Sequence, residues 1–486
     1  MMRFTSLCIA VACLIGPATA HAVMDMANTL SDNAQQNTIA FDGLAFLTGS
    51  IGSDSFFPPG KVADFWGFQY LRDNDPSGMG HNTDFLSRAA DNMLYALTAD
   101  QRQQLITLAK SQVASINQYG YGRFVLMDAF RRNLTGNIPT GSTGLNLDAV
   151  KSYSQQLYQL DGQISYQRAQ VMGPILASLT ATQRAYLNNN MVGQGMTSWP
   201  NVGEQIDKRG LTNDEFVAVT TYASDMFSWY AGNTDADVYF CPERQGTYFG
   251  SFYMKDAPAM GNPNYSIPTN LTGDMGAAFL SVLTPAQRSL VTNLVSSQNA
   301  ELLKIVDRRE DVSTLLRQFI AGQTPSQTDM QDLMTKYGEH DGSIIYQYAT
   351  AFAQVGQTLS SSQQSQLQAL RDEILQGEPS VPSGAFLYST PTAMPTIPSS
   401  DFLFFAPLAG DATRDRVVNF KDYIVLEGDF GKTNATWAMG DFNADGVVDF
   451  KDYTILEANF GTSVPEPATL LLVTAGAAGL LIRRRG

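Results

Sequence analysis

Cysteine and histidine are almost missing from this 486-residue chain, with three of each. Cys8 and Cys13 fall in an N-terminal segment that reads as removable, so the mature chain keeps only Cys241 and cannot form an internal disulfide. Cys241 is either a small buried hydrophobe or a reactive or metal-binding thiol. His21 lies in the same leader, and the remaining His81 and His340 are too few for a histidine-rich zinc centre. Charge is sparse as well: charged residues make up 16% of the chain, against roughly 25% in ordinary soluble domains. Gln, Asn, Ser and Thr fill the surface instead, which suits an extracellular protein. Lys and Arg total 31 against 46 Asp and Glu, a formal charge of -15. That argues against nucleic acid or anionic lipid as the main partner, since either needs a basic face, and it leaves cations as the better-matched ligands. No Gly-x-Ser-x-Gly elbow, phosphate-binding glycine loop or Cys-x-x-Cys-His haem site is present. No pair of carboxylates can be singled out for glycoside hydrolysis, so whether the chain is an enzyme stays open.

The two ends are informative. MMRFTSLCIAVACLIGPATAHA carries Arg3, an apolar run from Leu7 to Ile15 too short to span a bilayer, and small residues at Ala18, Ala20 and Ala22. This is a secretory signal over residues 1–22. At the other end, VPEPATLLLVTAGAAGLLIRRRG places Pro465-Glu466-Pro467 before an apolar stretch and then Arg483, Arg484 and Arg485, a membrane-inserting tail with a basic stop. Residues 464–486 resemble the PEP-CTERM sorting signal. The resemblance implies processing by an exosortase-type enzyme, a Gram-negative envelope or extracellular location, membrane contact only through the tail, and a cell that often exports polysaccharide.

Between the ends, apolar residues at three- and four-residue spacing predict helices over Thr98–Asn117, Leu147–Leu179, Asp214–Tyr230, Pro285–Val306 and Ser326–Leu359. A stretch with five prolines, Pro379–Ser400, predicts an extended linker that divides a large domain (23–378) from a C-terminal module (401–462). The large domain repeats itself, with halves at about 40–190 and 234–376 joined by an insert near Met191–Asn233. FFPPGKVADFWGFQYLRDND at 56–75 echoes YFCPERQGTYFGSFYMKDAP at 239–258. Arg123 and Arg131 match Arg309 and Arg317, and Asp161-Gly162 matches Asp341-Gly342. The aromatic echo offers a possible ligand site from Trp66, Tyr70, Asp73, His81, Tyr253 and Asp256, or equally a structural seam between the halves. Matched Arg and Asp suggest buried pairs within each half, or a site shared on the axis between them.

Four phrases, Leu97-Thr98-x-x-Gln101, Leu179-Thr180-x-x-Gln183, Leu283-Thr284-x-x-Gln287 and Leu359-Ser360-x-x-Gln363, predict capping boxes at helix starts. They also resemble, over only a few residues each, the LTxxQ phrase of small periplasmic helical chaperones.

From Gly410 the composition turns to Asp, Asn and aromatics. GDFNADGVVDFKDY puts Asp441, Asn443 and Asp445 at loop positions one, three and five, Gly446 at six, and Val447, Asp449 and Asp452 at seven, nine and twelve. Alternate oxygen donors, a glycine at the sharp turn and a closing carboxylate are the ligand logic of an EF-hand calcium loop. Thirty residues earlier, GDATRDRVVNFKDY repeats it with Asp411, Thr413, Asp415, Val417, Asn419 and Asp422, but Thr413 replaces a stronger ligand and Arg416 stands where glycine is wanted, so this copy is expected either to bind calcium less tightly or to need a strained left-handed residue. Over 410–461 the pair resembles type I dockerin modules. The resemblance implies Ca2+-dependent folding, a cohesin-like protein domain as partner, and a recognition surface near Phe420-Lys421 and Phe450-Lys451.

The expectation is therefore a mainly α protein: a duplicated helical domain followed by a small EF-hand-like, dockerin module. Its function is expected to be non-catalytic assembly at the cell surface or in the matrix. The rival readings are a secreted enzyme acting on polysaccharide and a helical envelope chaperone or metal binder.

Overall fold

The computed structural model describes parts of residues 36–48 together with residues 84–194, 198–231, 270–376, 396–433 and 435–463. These residues are mainly helical and contain no strand, only two isolated bridges. The helices are α1 (Asp84–Ala96), α2 (Ala99–Thr135), α3 (Leu147–Ala177), α4 (Ala181–Asn190), α5 (Asn213–Ala231), α6 (Asn270–Val282), α7 (Pro285–Arg317), α8 (Gln327–Thr358) and α9 (Ser361–Gln376), with α10 (Phe420–Asp429) and α11 (Phe450–Asn459) in the C-terminal module.

All four Thr/Ser-x-x-Gln phrases cap helices. Thr98, Thr180 and Thr284 each accept from the backbone N–H of their Gln, while that Gln accepts from the backbone N–H of the capping residue. Ser360 and Gln363 make the same two bonds. The boxes are also joined in pairs. Gln183 donates to Gln101 Oε1 at 2.8 Å and to the Ala96 carbonyl at 2.8 Å, and Gln363 donates to Gln287 Oε1 at 2.7 Å and to the Val282 carbonyl at 3.0 Å. Each glutamine therefore closes its own helix start and ties it to a second one. Gln183→Ala and Gln363→Ala are each expected to lose about 1 kcal/mol, a cap bond together with a tertiary bond, read as the shift of the urea midpoint. Substitution of the neighbouring exposed Ser362 by Ala should leave that midpoint in place.

The central packing is α3 against α8, flanked by α2 and α7. Helix α3 is buried without a break from Leu157 to Tyr166. It can lie so close to α8 because Gly162 faces Met334, while Gly338 and Gly342 face the α3 backbone at Gln155 and Lys151. Helix α2 runs well past the expected end at Asn117. Within it, Gly122 is a crossing point: its missing Cβ leaves room for Leu157, and its carbonyl accepts from the Tyr153 hydroxyl at 3.0 Å. Helix α5, in the expected insert, packs on α1 and α2 and buries Tyr222, Met226 and Trp229.

One matched Arg and one matched Asp meet across the halves. Arg123, from the first half, approaches Asp341 of the second at 3.7 Å, and Ser154 donates to the same carboxylate oxygen at 3.1 Å. The end of the expected linker is not loose. Ser400 is buried and donates to Asp128, and Leu403 and Phe404 of the following 3-10 turn (Asp401–Phe404) belong to the core of the helical domain.

Candidate calcium-loop module

In the C-terminal module each loop leads into one helix, and the two copies close on each other. Gly431 donates to the Val448 carbonyl and Val448 to Lys432; in the mirrored pair, Gly461 donates to Val418 and Val418 to Thr462. Bridges Val417–Ser463 and Thr433–Val447 complete this twofold exchange. A small core of Ala412, Val418, Leu426, Ala435, Phe442, Val448 and Leu456 lies between the copies.

The second loop bends through two left-handed positions. Gly446 at position six has φ 81 and Ala444 at position four has φ 61. Asp441 Oδ2 accepts from the Gly446 amide at 2.9 Å, which fixes the turn. Asn443 Oδ1 accepts from the Asp445 amide at 2.8 Å, and Asp452 accepts from the amides of Phe442, Asn443 and Asp449. Asp449 caps α11, and its side chain accepts from the Lys451 amide. Asp445 accepts from the Val447 amide and holds the Lys451 ammonium at 2.7 Å. Burial, reinforced by the nearby charges of Asp452 and Asp445, pushes the Asp441 carboxyl up to about 7. Burial also raises Asp452, whereas for Asp445 the Lys451 ammonium and loop amides outweigh burial and hold the carboxyl low.

All of these donors are oxygens, which suits a hard divalent cation, and a cation among them would relieve the crowding of carboxylates. Among the described residues no three His, Cys, Asp or Glu side chains are gathered as a metal site. The carboxylate oxygens are turned onto loop amides, and the remaining expected donors are Asn443 and the Val447 carbonyl. The donor set and backbone path fit calcium, provided that Asp441, Asp445 and Asp452 exchange amide contacts for the ion.

The first loop has the same path with poorer chemistry. Arg414 and Arg416 occupy left-handed backbone at φ 59 and φ 70, a conformation that costs an L-residue roughly 1–2 kcal/mol each. Asp411 Oδ2 accepts from the Arg416 amide at 2.8 Å, and burial, with Asp422 and Asp415 adding, raises its carboxyl. Thr413 donates its hydroxyl to Asp422 at 2.9 Å, Asn419 caps α10, and Asp415 holds the Lys421 ammonium. Val417 is exposed.

The residues expected at a recognition surface lie together outside. Phe420 and Phe450 are 62% and 67% exposed, the most exposed large hydrophobic side chains among the described residues. Their rings continue through Tyr423 and Tyr453 as one aromatic row: Phe420–Tyr423 at 5.5 Å, Tyr423–Tyr453 at 6.4 Å and Tyr453–Phe450 at 5.4 Å. Lys421 and Lys451 stand beside it, exposed. The row was not foreseen, although FKDY repeated at the same loop position carries it. Trp66, Tyr70, Asp73, His81, Tyr253, Asp256 and Cys241, the leader and the sorting tail lie outside the described residues. His340 is described and faces Glu301 at 2.6 Å.

The raised Asp441 carboxyl sets a pH dependence. The folded loop retains a proton there that the unfolded chain surrenders near its ordinary value of 3.8. That contribution to stability is present below pH 3.8 and is lost as pH rises through about 7. With calcium chelated, the module should therefore weaken between about pH 4 and 7. A calcium ion bound at this carboxyl would have to displace the proton, and its affinity would then fall as pH drops below about 7. Calorimetry at pH 6.5 in buffers of different ionisation enthalpy should register proton release, and release absent at that pH would contradict the description of Asp441.

One family pattern matches the chain, the PEP-CTERM protein-sorting motif over residues 463–485. No curated protein and no solved structure matches it. The motif marks an exported protein sorted to the cell surface of a Gram-negative bacterium, and is consistent with processing by an exosortase-type enzyme.

Proposed function

We propose that this protein is a surface assembly component whose C-terminal module takes Ca2+ and docks a cohesin-like domain through the Phe420–Tyr423–Tyr453–Phe450 row. The observation that carries the reading is the second loop: oxygen donors at alternate positions, a left-handed Gly446, and the buried Asp441 carboxyl accepting from the Gly446 amide at that turn. In that site Asp441, Asn443, Asp445 and Asp452 would supply side-chain oxygens and Val447 its carbonyl, while Asp449 holds the start of α11 and acts on the ion through water. Calcium supplies positive charge that lets the buried carboxylates stay ionised at neutral pH. The helices that follow then hold Phe420 and Phe450 on a common face, whose aromatic content suits a partner surface better than solvent. The sorting motif supplies the place, since a protein retained at the envelope can hold a partner there.

Calcium titration of the full chain by calorimetry tests this. Saturable binding is expected, abolished by Asp441→Ala with Asp445→Ala, and accompanied by stabilisation of about 2.7 kcal/mol at one hundred times the dissociation constant. Absence of binding heat in the unaltered chain would end the calcium reading. Binding of calcium that is unaffected by the double substitution would move the ion elsewhere.

A further inference from the structure

The two loops differ at the positions that bend them, Arg414 and Arg416 in the first against Ala444 and Gly446 in the second, and the arginines have a destination. The Arg414 guanidinium lies over the rings of Tyr153 at 4.7 Å and Phe402 at 4.5 Å and bonds to Gln156 Oε1. Arg416 lies over Phe405 at 3.7 Å. Tyr153 and Gln156 belong to α3, and Phe402 and Phe405 to the turn packed into the helical domain. The corresponding bend of the second loop meets the same body more lightly, with Gln159 donating to the Ala444 carbonyl at 2.8 Å. A narrow cavity lined by Tyr153, Phe402, Phe405, Asp411, Arg414 and Trp437 lies along the seam.

We propose that the first loop is a docking clasp to the helical domain and not a second calcium site, so that the module takes one calcium ion, in the second loop. This rests on the calcium reading for the stoichiometry but not for the clasp. Each departure of the first loop from a metal loop becomes intelligible. A strained arginine at position six is tolerated because its guanidinium gains an aromatic face shielded from water. Thr413, a weak donor, satisfies Asp422 internally. Two long cations committed to α3 and the 401–405 turn hold the loop against a rigid surface, and Phe420 and Phe450 are left pointing to solvent.

Two measurements on the full chain separate the parts. Calorimetry should give one calcium per chain, and Thr413→Asn with Arg414→Ala and Arg416→Gly, which copies the second loop's residues at positions three, four and six, should raise it to two. Two ions in the unaltered chain would overturn the proposal. No ion at all would remove the calcium reading while leaving the clasp to the second measurement. In it, trypsin cleavage after Arg414 and Arg416 is timed by mass spectrometry against cleavage after Arg209, whose side chain is 90% exposed. The clasp arginines should be cut at least tenfold more slowly. Gln156→Ala with Gln159→Ala, changes that favour the α3 helix, should speed cleavage there and not at Arg209. Equal rates at all three arginines in the unaltered chain would overturn the clasp.

Discussion

Asp225→Ala is expected to destabilise the helical domain by about 3–5 kcal/mol, because it removes the carboxylate that meets a buried guanidinium. Arg168 on α3 has no exposed side-chain surface, Asp225 on α5 has 3%, and the two meet at 2.7 Å. Arg168 also lies 5.4 Å from the centre of the fully buried Tyr222 ring, and burial holds the Tyr222 hydroxyl far above its ordinary range. The shift of the urea midpoint followed by helical circular dichroism measures the loss. Arg168→Met combined with Asp225→Ala should recover part of it, since removing both charges also removes the buried cation, at the expense of a cavity. A single Asp225→Ala chain within 1 kcal/mol of the unaltered protein would mean that α5 does not seal this pair, because exposed ion pairs contribute about that much or less.

The contrast between such buried polar groups and the helix ends explains how much was legible beforehand. Helix starts are written locally: Thr98, Thr180, Thr284 and Ser360 each carry their Gln three residues on, and the boxes form where expected. Helices with one wet face were visible as well, since α8 begins and ends within one residue of the apolar pattern. Helix α3 is different inside. From Leu157 to Tyr166 it is buried on every side, so Gln159, Asp161, Gln163 and Ser165 occupy interior positions that a three-four spacing assigns to solvent. Which partners they meet depends on α5, α8 and the module, none of which lies nearby in sequence. In the C-terminal module the reverse holds. The bend at Gly446 could be read from the sequence because a turn glycine acts locally, yet the destinations of Arg414 and Arg416 could not, because Tyr153 and Phe402 reach them only through the fold. The Asp-Gly repeat, 161–162 and 341–342, was visible as repetition while its purpose was not. It lies where the two central helices touch.

That contact supplies the remaining large effect. Gly338→Val is expected to lose about 3 kcal/mol or more, at or above the upper range for overpacked cores, because the obstacle is main chain. A Cβ at Gly338 would lie 2.7 Å from Gln155 Cα and 2.8 Å from the Ser154 carbonyl oxygen, and one at Gly342 would lie 2.7 Å from Lys151 Cα. Neither can turn aside as a side chain could. Helix α8 would have to move off α3, carrying Asp341 away from Arg123 and Ser154 and opening the seam between the halves. Gly356 provides the comparison on the same helix. A Cβ there meets only the ends of Leu134 and Leu47, which can change rotamer, so Gly356→Ala should cost about 1 kcal/mol or less, the clash being offset by better helix propensity. Double substitution at Gly338 and Gly342 should cost less than the sum of its parts, since the first already separates the helices that the second would part. Urea midpoints for the four chains decide the matter: Gly338→Val no more damaging than Gly356→Ala would show that α3 and α8 are not held at backbone contact, and that the helical halves are joined elsewhere.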